Sequence, residues 1–492
     1  MLIPFAIVVG LMGIFFIAPG QSASTVDSLR GFFGDTVGLY YPILAGASVI
    51  CALYVALRPK YGEIRLGNTD KPAYSDFKWG TMIFTSTMAA DIVFYSMIEW
   101  ALYGGEQHVQ DLGGTEMWAE TFTLFHWGPL AWGFYVILAV CFAFMMHVRK
   151  RDRQRFSEAC RPLLGDMVDG FWGKVIDVIA IFAIVCATAT TFSLATPLLT
   201  KALGCVFGFE VTTTITILVL LLICAVYTFT VLFGVKGISR LAEICSYLFF
   251  ALLFYFLFLG GETKYILENG FQSFGNMLQN FIGLSTYMDP LRQNGFAQNW
   301  TVYYWAYWLV WCVATPFFIA LISKGRTLKN VVYGTFGWGL AGTYMSFIIL
   351  GGYGLSQQLK HGVDVIGFLG NGGEMYDAIL MIFDTLPLPA LALLLLAVTM
   401  IAFYSTTLDG ITYVTSSYSY KNISADEEPS RGIRGFWSIM LILLPIALLF
   451  AQNTLYSLQG ITIIAAFPVG ILLILIVWSF FKDCNNWLKN KR

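Results

Sequence analysis

Residues 300–311 read WTVYYWAYWLVW, inside an apolar stretch that continues to the motif ISKGRT at 322–327. On a helix advancing 100° per residue, Trp300, Tyr304, Tyr307, Trp308 and Trp311 fall within an arc of roughly 100°. Thr315 continues that face one turn on, and Pro316 beside it removes a backbone donor. Ring faces aligned in this way can hold a soft organic cation, at roughly 0.5–2 kcal/mol per ring once water is excluded. A second group of rings, Trp127, Trp132 and Tyr135, stands in HWGPLAWGFY at 126–135, with the last two one turn apart. The simpler readings are an aromatic packing stripe for 300–311 and an interfacial belt for a single tryptophan such as Trp127.

Carboxyl groups come next. The stretch FTSTMAADIVFYSMIEWALY (84–103) places Asp91 and Glu99 in an apolar run, where Met88, Asp91, Tyr95 and Glu99 share one helix face. A charged side chain at a span's centre costs about 2.5–3.5 kcal/mol on insertion scales, so each acid is a functional candidate by default. The competing reading is a structural carboxyl paired with a neighbouring helix, with more weight on Glu99, placed near the outer end. Glu243 sits near the inner end of another run. The hydroxyl-dense segment AFYSTTLDGITYVTSS (402–417) offers Thr406 and Thr407, whose oxygens suit a hard monovalent cation.

The elements that must position these groups are membrane spans. The 492-residue chain is 57% hydrophobic and 12% charged, against about 25% charged residues in soluble domains. Twelve apolar runs recur near 3–19, 37–57, 79–103, 126–147, 172–200, 212–234, 241–259, 301–322, 332–352, 380–404, 436–452 and 459–481, each close to the roughly 20 residues that cross a bilayer. The fold class is an all-α polytopic membrane protein. The first run lacks a basic leader segment and reads as a span rather than a signal peptide. Connections on one side hold 24 of the 29 lysines and arginines, which places both termini in the cytoplasm of a cell membrane. The nine cysteines show no metal-ligand spacing, no nucleophile–base pair is visible, and no basic tract suggests nucleic acid. An enzyme is thereby disfavoured, and no cofactor is expected beyond a sodium ion.

WTVYYWAYWLVW followed by ISKGRT, with the HWG–W–Y pattern of the fourth run, resembles the betaine/carnitine/choline transporter family. The resemblance covers all twelve runs. It implies two peripheral helices and a cytoplasmic loop (1–78), then two five-helix repeats of inverted topology (79–259 and 301–482). An outer segment with a surface helix (260–300, with 286–299 a surface helix or loop) separates them, a short cytoplasmic tail (483–492) ends the chain, and the assembly is a homotrimer. By similarity, Trp127, Trp132, Tyr135 and Trp308 line a central cage, Trp311 lies deeper on the route, and Tyr307 replaces a tryptophan usual in relatives. The third glycine of the relatives' G-x-G-x-G run is Asp91 here, which resembles choline carriers. Choline, a net cation, gains from a counter-charge that would repel zwitterionic betaine or carnitine.

Sodium-driven relatives bind the ion between the third and tenth helices, at positions matching Thr85, Met88, Thr406 and Thr407. Sodium-independent carnitine exchangers carry an arginine in the seventh helix and a methionine in the eighth. Here 241–260 has no arginine, and Thr315 takes the methionine position. A proton on Asp91, Glu99 or Glu243 is the competing coupling or gating device. The expected function is secondary transport of a quaternary ammonium compound by alternating access. Choline is favoured, with carnitine, γ-butyrobetaine or glycine betaine as alternatives, and a non-transporting receptor or osmosensor is the reading from another class.

Overall fold

A computed structural model describes residues 2–69, 71–86, 90–151, 153–233, 238–420, 423, 427, 429–450 and 455–491. The chain is 84% helical, as a chain in lipid must be when each segment has to satisfy its own backbone. Among the described residues, six helices are individually long and apolar enough to cross a membrane, or up to nine if each bent pair counts as one span. This is a polytopic helical membrane protein.

The helices that matter for the site are α1 (Leu2–Ile17), α2 (Pro19–Arg30), α3 (Tyr40–Leu57), α4 (Asp76–Ser86), α5 (Ala90–Gly104), α6 (Thr115–His126) and α7 (Pro129–Ala143). They continue with α8 (Phe171–Phe207), α9 (Thr213–Phe233), α10 (Ile238–Phe254), α11 (Thr263–Thr286), α12 (Val302–Trp311) and α13 (Thr315–Ile322). The remainder are α14 (Leu328–Ser346), α15 (Gly352–His361), α16 (Pro389–Ser417), α17 (Arg431–Phe450) and α18 (Leu455–Lys491).

Four expectations are corrected. The aromatic helix does not run straight from 300 to 322: its halves, Ala297–Trp311 and Thr315–Ile322, meet at 53°. Pro316, at the start of α13, has no N–H to continue the ladder, so Thr315 leaves the face that carries Trp311. The fourth span does not begin at His126. Thr115–Val148 forms one 34-residue span, and His126-Trp127-Gly128 is the junction of α6 and α7 inside it.

The tenth span, expected over 380–404, starts at Pro389 and stays helical to Ser417, so Thr406 and Thr407 belong to its continuous helix. Thr406, Thr412 and Thr415 donate to carbonyls three or four residues back, and the backbone needs no ion to satisfy it. Finally, the surface helix of the outer segment is α11, ahead of 286–299, where the sequence allows a helix or a loop. It leaves α10 at a 108° corner, and 287–295 is a loop in which Asp289 accepts the amides of Gln293, Asn294 and Gly295.

At the basic end, SKGRT is a clamp. Leu66 donates to Arg326 O (2.8 Å), Gly325 to Leu66 O (2.7 Å) and Ala73 to Lys324 O (3.0 Å), tying the loop after α3 to the end of α13. The Arg326 guanidinium lies 4.0 Å from the Trp79 ring centroid and donates to Asp76 (2.6 Å) and Tyr74 O (3.0 Å). Gly325 has φ +86°, and a Cβ there would sit 2.4 Å from Lys71 O. Gly67 also has positive φ (+93°), but its nearest neighbour would be 3.8 Å away. Gly325→Ala is therefore expected to lower the melting temperature of purified protein clearly more than Gly67→Ala.

The corner before α11 is held by Glu262, which accepts from Lys360 and from His361 (2.8 Å). Burial alone would raise this carboxyl, but Lys360 and His361 outweigh it and hold Glu262 below the usual glutamate range. A depressed native pKa gives stability that is present above the unfolded value and lost as pH falls through the native one. Hydrogen exchange at 260–266 is expected to accelerate as pH falls below the ordinary glutamate range, relative to the chemical rate, and Glu262→Gln should show no such change.

Candidate functional site

Residues from α5, the α6–α7 junction, α7 and α12 meet as one aromatic cluster. Trp132, Tyr135 and Trp308 form a closed triangle, with ring centroids 5.4, 4.8 and 5.7 Å apart. Trp127 joins at 5.6 Å from Trp308 and 6.3 Å from Tyr307, and Tyr95 packs 5.9 Å from Trp127 and 6.3 Å from Tyr307. The three triangle distances are those of aromatic rings packed directly against one another, so the cluster is closed as it stands, and a cation reaches the ring faces only when the rings part. The indole N–H of Trp308 has no hydrogen-bond partner among the described residues.

The two features that depart from the family pattern touch each other. Tyr307 donates its phenol O–H to Asp91 Oδ2 and shares a 2.8 Å hydrogen bond with Thr191 of α8. Asp91 is 3% exposed, and its Oδ1 has no partner. A tryptophan at 307 has no hydroxyl to offer here, so the substitution supplies the donor that a buried acid requires. The structure thus places a carboxyl group with one oxygen lacking a hydrogen-bond partner directly behind the ring that borders Trp127.

Glu99 is completely buried and paired, with no outer-end exposure. Trp127 Nε1 donates to Oε2 (2.8 Å) and Tyr103 Oη to Oε1 (2.5 Å). Trp127, 2% exposed, is accordingly no interfacial belt residue. Trp311 and Thr315 are half-buried on the two sides of the break. The proposed sodium ligands are not gathered by any described contact: Thr85 donates back to Thr81 O (2.9 Å), and Thr406 lies beside Cys245 of α10 at 4.0 Å. Thr407 is half-buried on α16. Met88 and the Glu243 side chain lie outside the described residues.

Sequence reasoning missed Tyr103, His126, Thr191 and Tyr303. Tyr103 was within reach, one helical turn after Glu99, and His126 immediately precedes Trp127. Thr191 carried no local signal, because its role depends on α8 crossing α12.

Asp91→Ala combined with Tyr307→Phe is expected to show a coupling energy of about 1–3 kcal/mol in a thermal double-mutant cycle, the scale for a buried acceptor that loses its donor. Additive effects would mean that the two residues do not act as a pair.

A many-span helical protein with a buried cluster of ring faces beside a carboxylate has the makings of a carrier for organic cations. The chain belongs to the betaine/carnitine/choline family of transporters, whose family model matches residues 1–488, and it is not an enzyme. Among curated relatives it is 28% identical over 435 residues to the uncharacterized transporter YeaV of Escherichia coli, covering 87% of this chain and 89% of that one. It is 26% identical to a carnitine transporter of Acinetobacter baumannii, over 86% of this chain and 77% of the relative. It is 28% identical to the glycine betaine transporter OpuD of Bacillus subtilis, over 96% and 91% respectively.

Proposed function

We propose that this protein carries a quaternary ammonium compound across the cytoplasmic membrane by alternating access, with choline as the favoured substrate. The observation that carries the choice is Asp91, an acid buried beside the cage with Oδ1 unpartnered and Oδ2 held by Tyr307. A trimethylammonium head offers no N–H donor, so ring faces must hold it, and Trp132, Tyr135 and Trp308, which meet in one buried cluster, would part to receive it. A fixed anion then favours a net cation over a zwitterion that brings its own carboxylate. Carnitine and glycine betaine, named for two of the relatives, are the alternatives.

Drive comes from a sodium or proton gradient. For sodium, the ligands would come from Thr85, Met88, Thr406 and Thr407, after Thr85 and Thr406 release the carbonyls they now bond. The cytoplasmic placement of both termini rests on the one-sided distribution of basic residues. The inverted pairing of repeats is what the resemblance to the family implies, and the eighth span is bent by 53° after Trp311. A homotrimer is supported by the exposed stripe Leu267, Phe271, Leu278 and Ile282 on α11.

Competitive binding of choline against carnitine tests the choice. Asp91→Gly is expected to weaken choline sharply while carnitine holds or improves, and equal losses would remove the counter-ion role. Trp308→Leu should weaken every quaternary ligand, by about 0.5–2 kcal/mol for one desolvated ring. Retained affinity would take α12 out of the cage.

A further inference from the structure

Glu99 and Tyr103 do not end at Trp127. Tyr103 Oη also lies 2.6 Å from His126 Nδ1, and His126 Nε2 lies 3.0 Å from Thr301 Oγ1. Glu99, Tyr103 and His126 are all buried, and Thr301 is 3% exposed. The ring of Trp300, held to Glu106 by a 2.7 Å hydrogen bond, packs edge-on against Tyr103 at the outer end.

Hydrogen counting restricts this chain to two ordered states. Tyr103 has one phenolic proton to place between two neighbours, and neutral histidine has one N–H. In the first state His126 donates from Nδ1 to Tyr103, Tyr103 donates to the Glu99 carboxylate, and Thr301 donates to Nε2. In the second, protonated Glu99 donates to Tyr103, Tyr103 donates to Nδ1, and His126 donates from Nε2 to Thr301. The states differ by one proton. It enters at Nε2 from outer water, the Nδ1 proton moves to Tyr103, and the tyrosine proton moves to Glu99 Oε1. No electrons move, and His126 is neutral at both ends, as its apolar surroundings favour.

We propose that Glu99–Tyr103–His126 is a proton relay by which one external proton loosens the Trp127 wall of the substrate cage. The inference rests on the cage reading above. While Glu99 is charged, the Trp127 N–H bond is charge-assisted and roughly twice as strong as a neutral one. Protonation weakens that hold and removes a negative charge from beside the cage. Proton and cation therefore oppose each other, and by reciprocity cation binding expels the proton. A proton at this site inhibits or is exchanged; it does not travel with the substrate.

The other ionisable groups around the relay are engaged or screened, except that Tyr304, stacked on His126 at 5.0 Å, turns a hydroxyl without a hydrogen-bond partner toward Glu99 and Tyr103. Tyr95 bonds Tyr303 (2.7 Å). Asp91 lies two turns along α5 and is held by Tyr307. Arg30, beyond Tyr303, is occupied by Tyr456 O and Gln459. Glu120 of α6 accepts from Asn269 of α11. His108 is separated from His126 by the rings of Phe122 and Phe296.

Two readouts test this on the purified full chain between about pH 5 and pH 9, the range bracketing histidine chemistry. Infrared difference spectra should show the Glu99 carboxylic band and the His126 tautomer band changing along one curve. Glu99→Gln should remove the first band, and Tyr103→Phe should uncouple the two. Choline carries a fixed charge, so any pH dependence of its binding arises in the protein. Wild-type affinity should fall on acidification by up to about tenfold per pH unit, the limit for one linked proton. Glu99→Gln should bind weakly with a flat profile. Independent titration of the two bands in wild type, or a titrating Glu99 with pH-independent choline affinity, overturns the relay. If wild type binds no quaternary ligand at any pH, the cage reading fails, and the infrared co-titration still decides the relay.

Discussion

The structure turns on the contact between Tyr307 and Asp91. A carboxyl in the apolar interior of a membrane protein loses its hydration, and it persists only where protein donors replace water. Tyr307 supplies one donor and Thr191 steadies it, which links α5, α8 and α12 through one oxygen cluster. That link sets the rotation of α12, and the rotation brings Trp308 against Trp132 and Tyr135. The cage geometry thus follows from an acid that had to be satisfied.

The same constraint appears at Glu99, solved differently. There the donors are an indole and a phenol, and the phenol extends the network to a histidine and a threonine. One acid keeps an oxygen without a partner next to the rings; the other has both oxygens taken, one of them by the Trp127 indole. Two carboxyl groups two turns apart on one helix thereby sit in different settings, decided by which neighbours can donate.

Helix breaks make this possible. The α6–α7 junction frees Trp127 from a regular helical position, and the 53° bend after Trp311 separates the aromatic half-helix from the clamp at Arg326. Breaks are tolerated where flanking helices bury them, and both lie in the packed interior. The clamp at Arg326 fixes α13 to the loop after α3, so the second half of the bent span is tied to a different part of the chain from the aromatic half.

The polytopic helical class, the family and the ring-bearing residues were determined by the sequence alone. Each is a property of hydropathy over about 20 residues or of motifs contiguous in the chain. Asp91, Glu99, Trp127, Trp132, Tyr135 and Trp308 stood out as candidates because their types are unusual for their depth. Which of them touch was decided only in three dimensions. Tyr307 and Asp91 lie 216 positions apart, and their contact depends on how α12 is rotated against α5, which local periodicity leaves open. The role of His126 needed the fold of α6 over α5, and the satisfaction of Thr406 within α16 needed the observed helix length. Periodicity tells a side chain which face it shares; only packing tells it what that face meets.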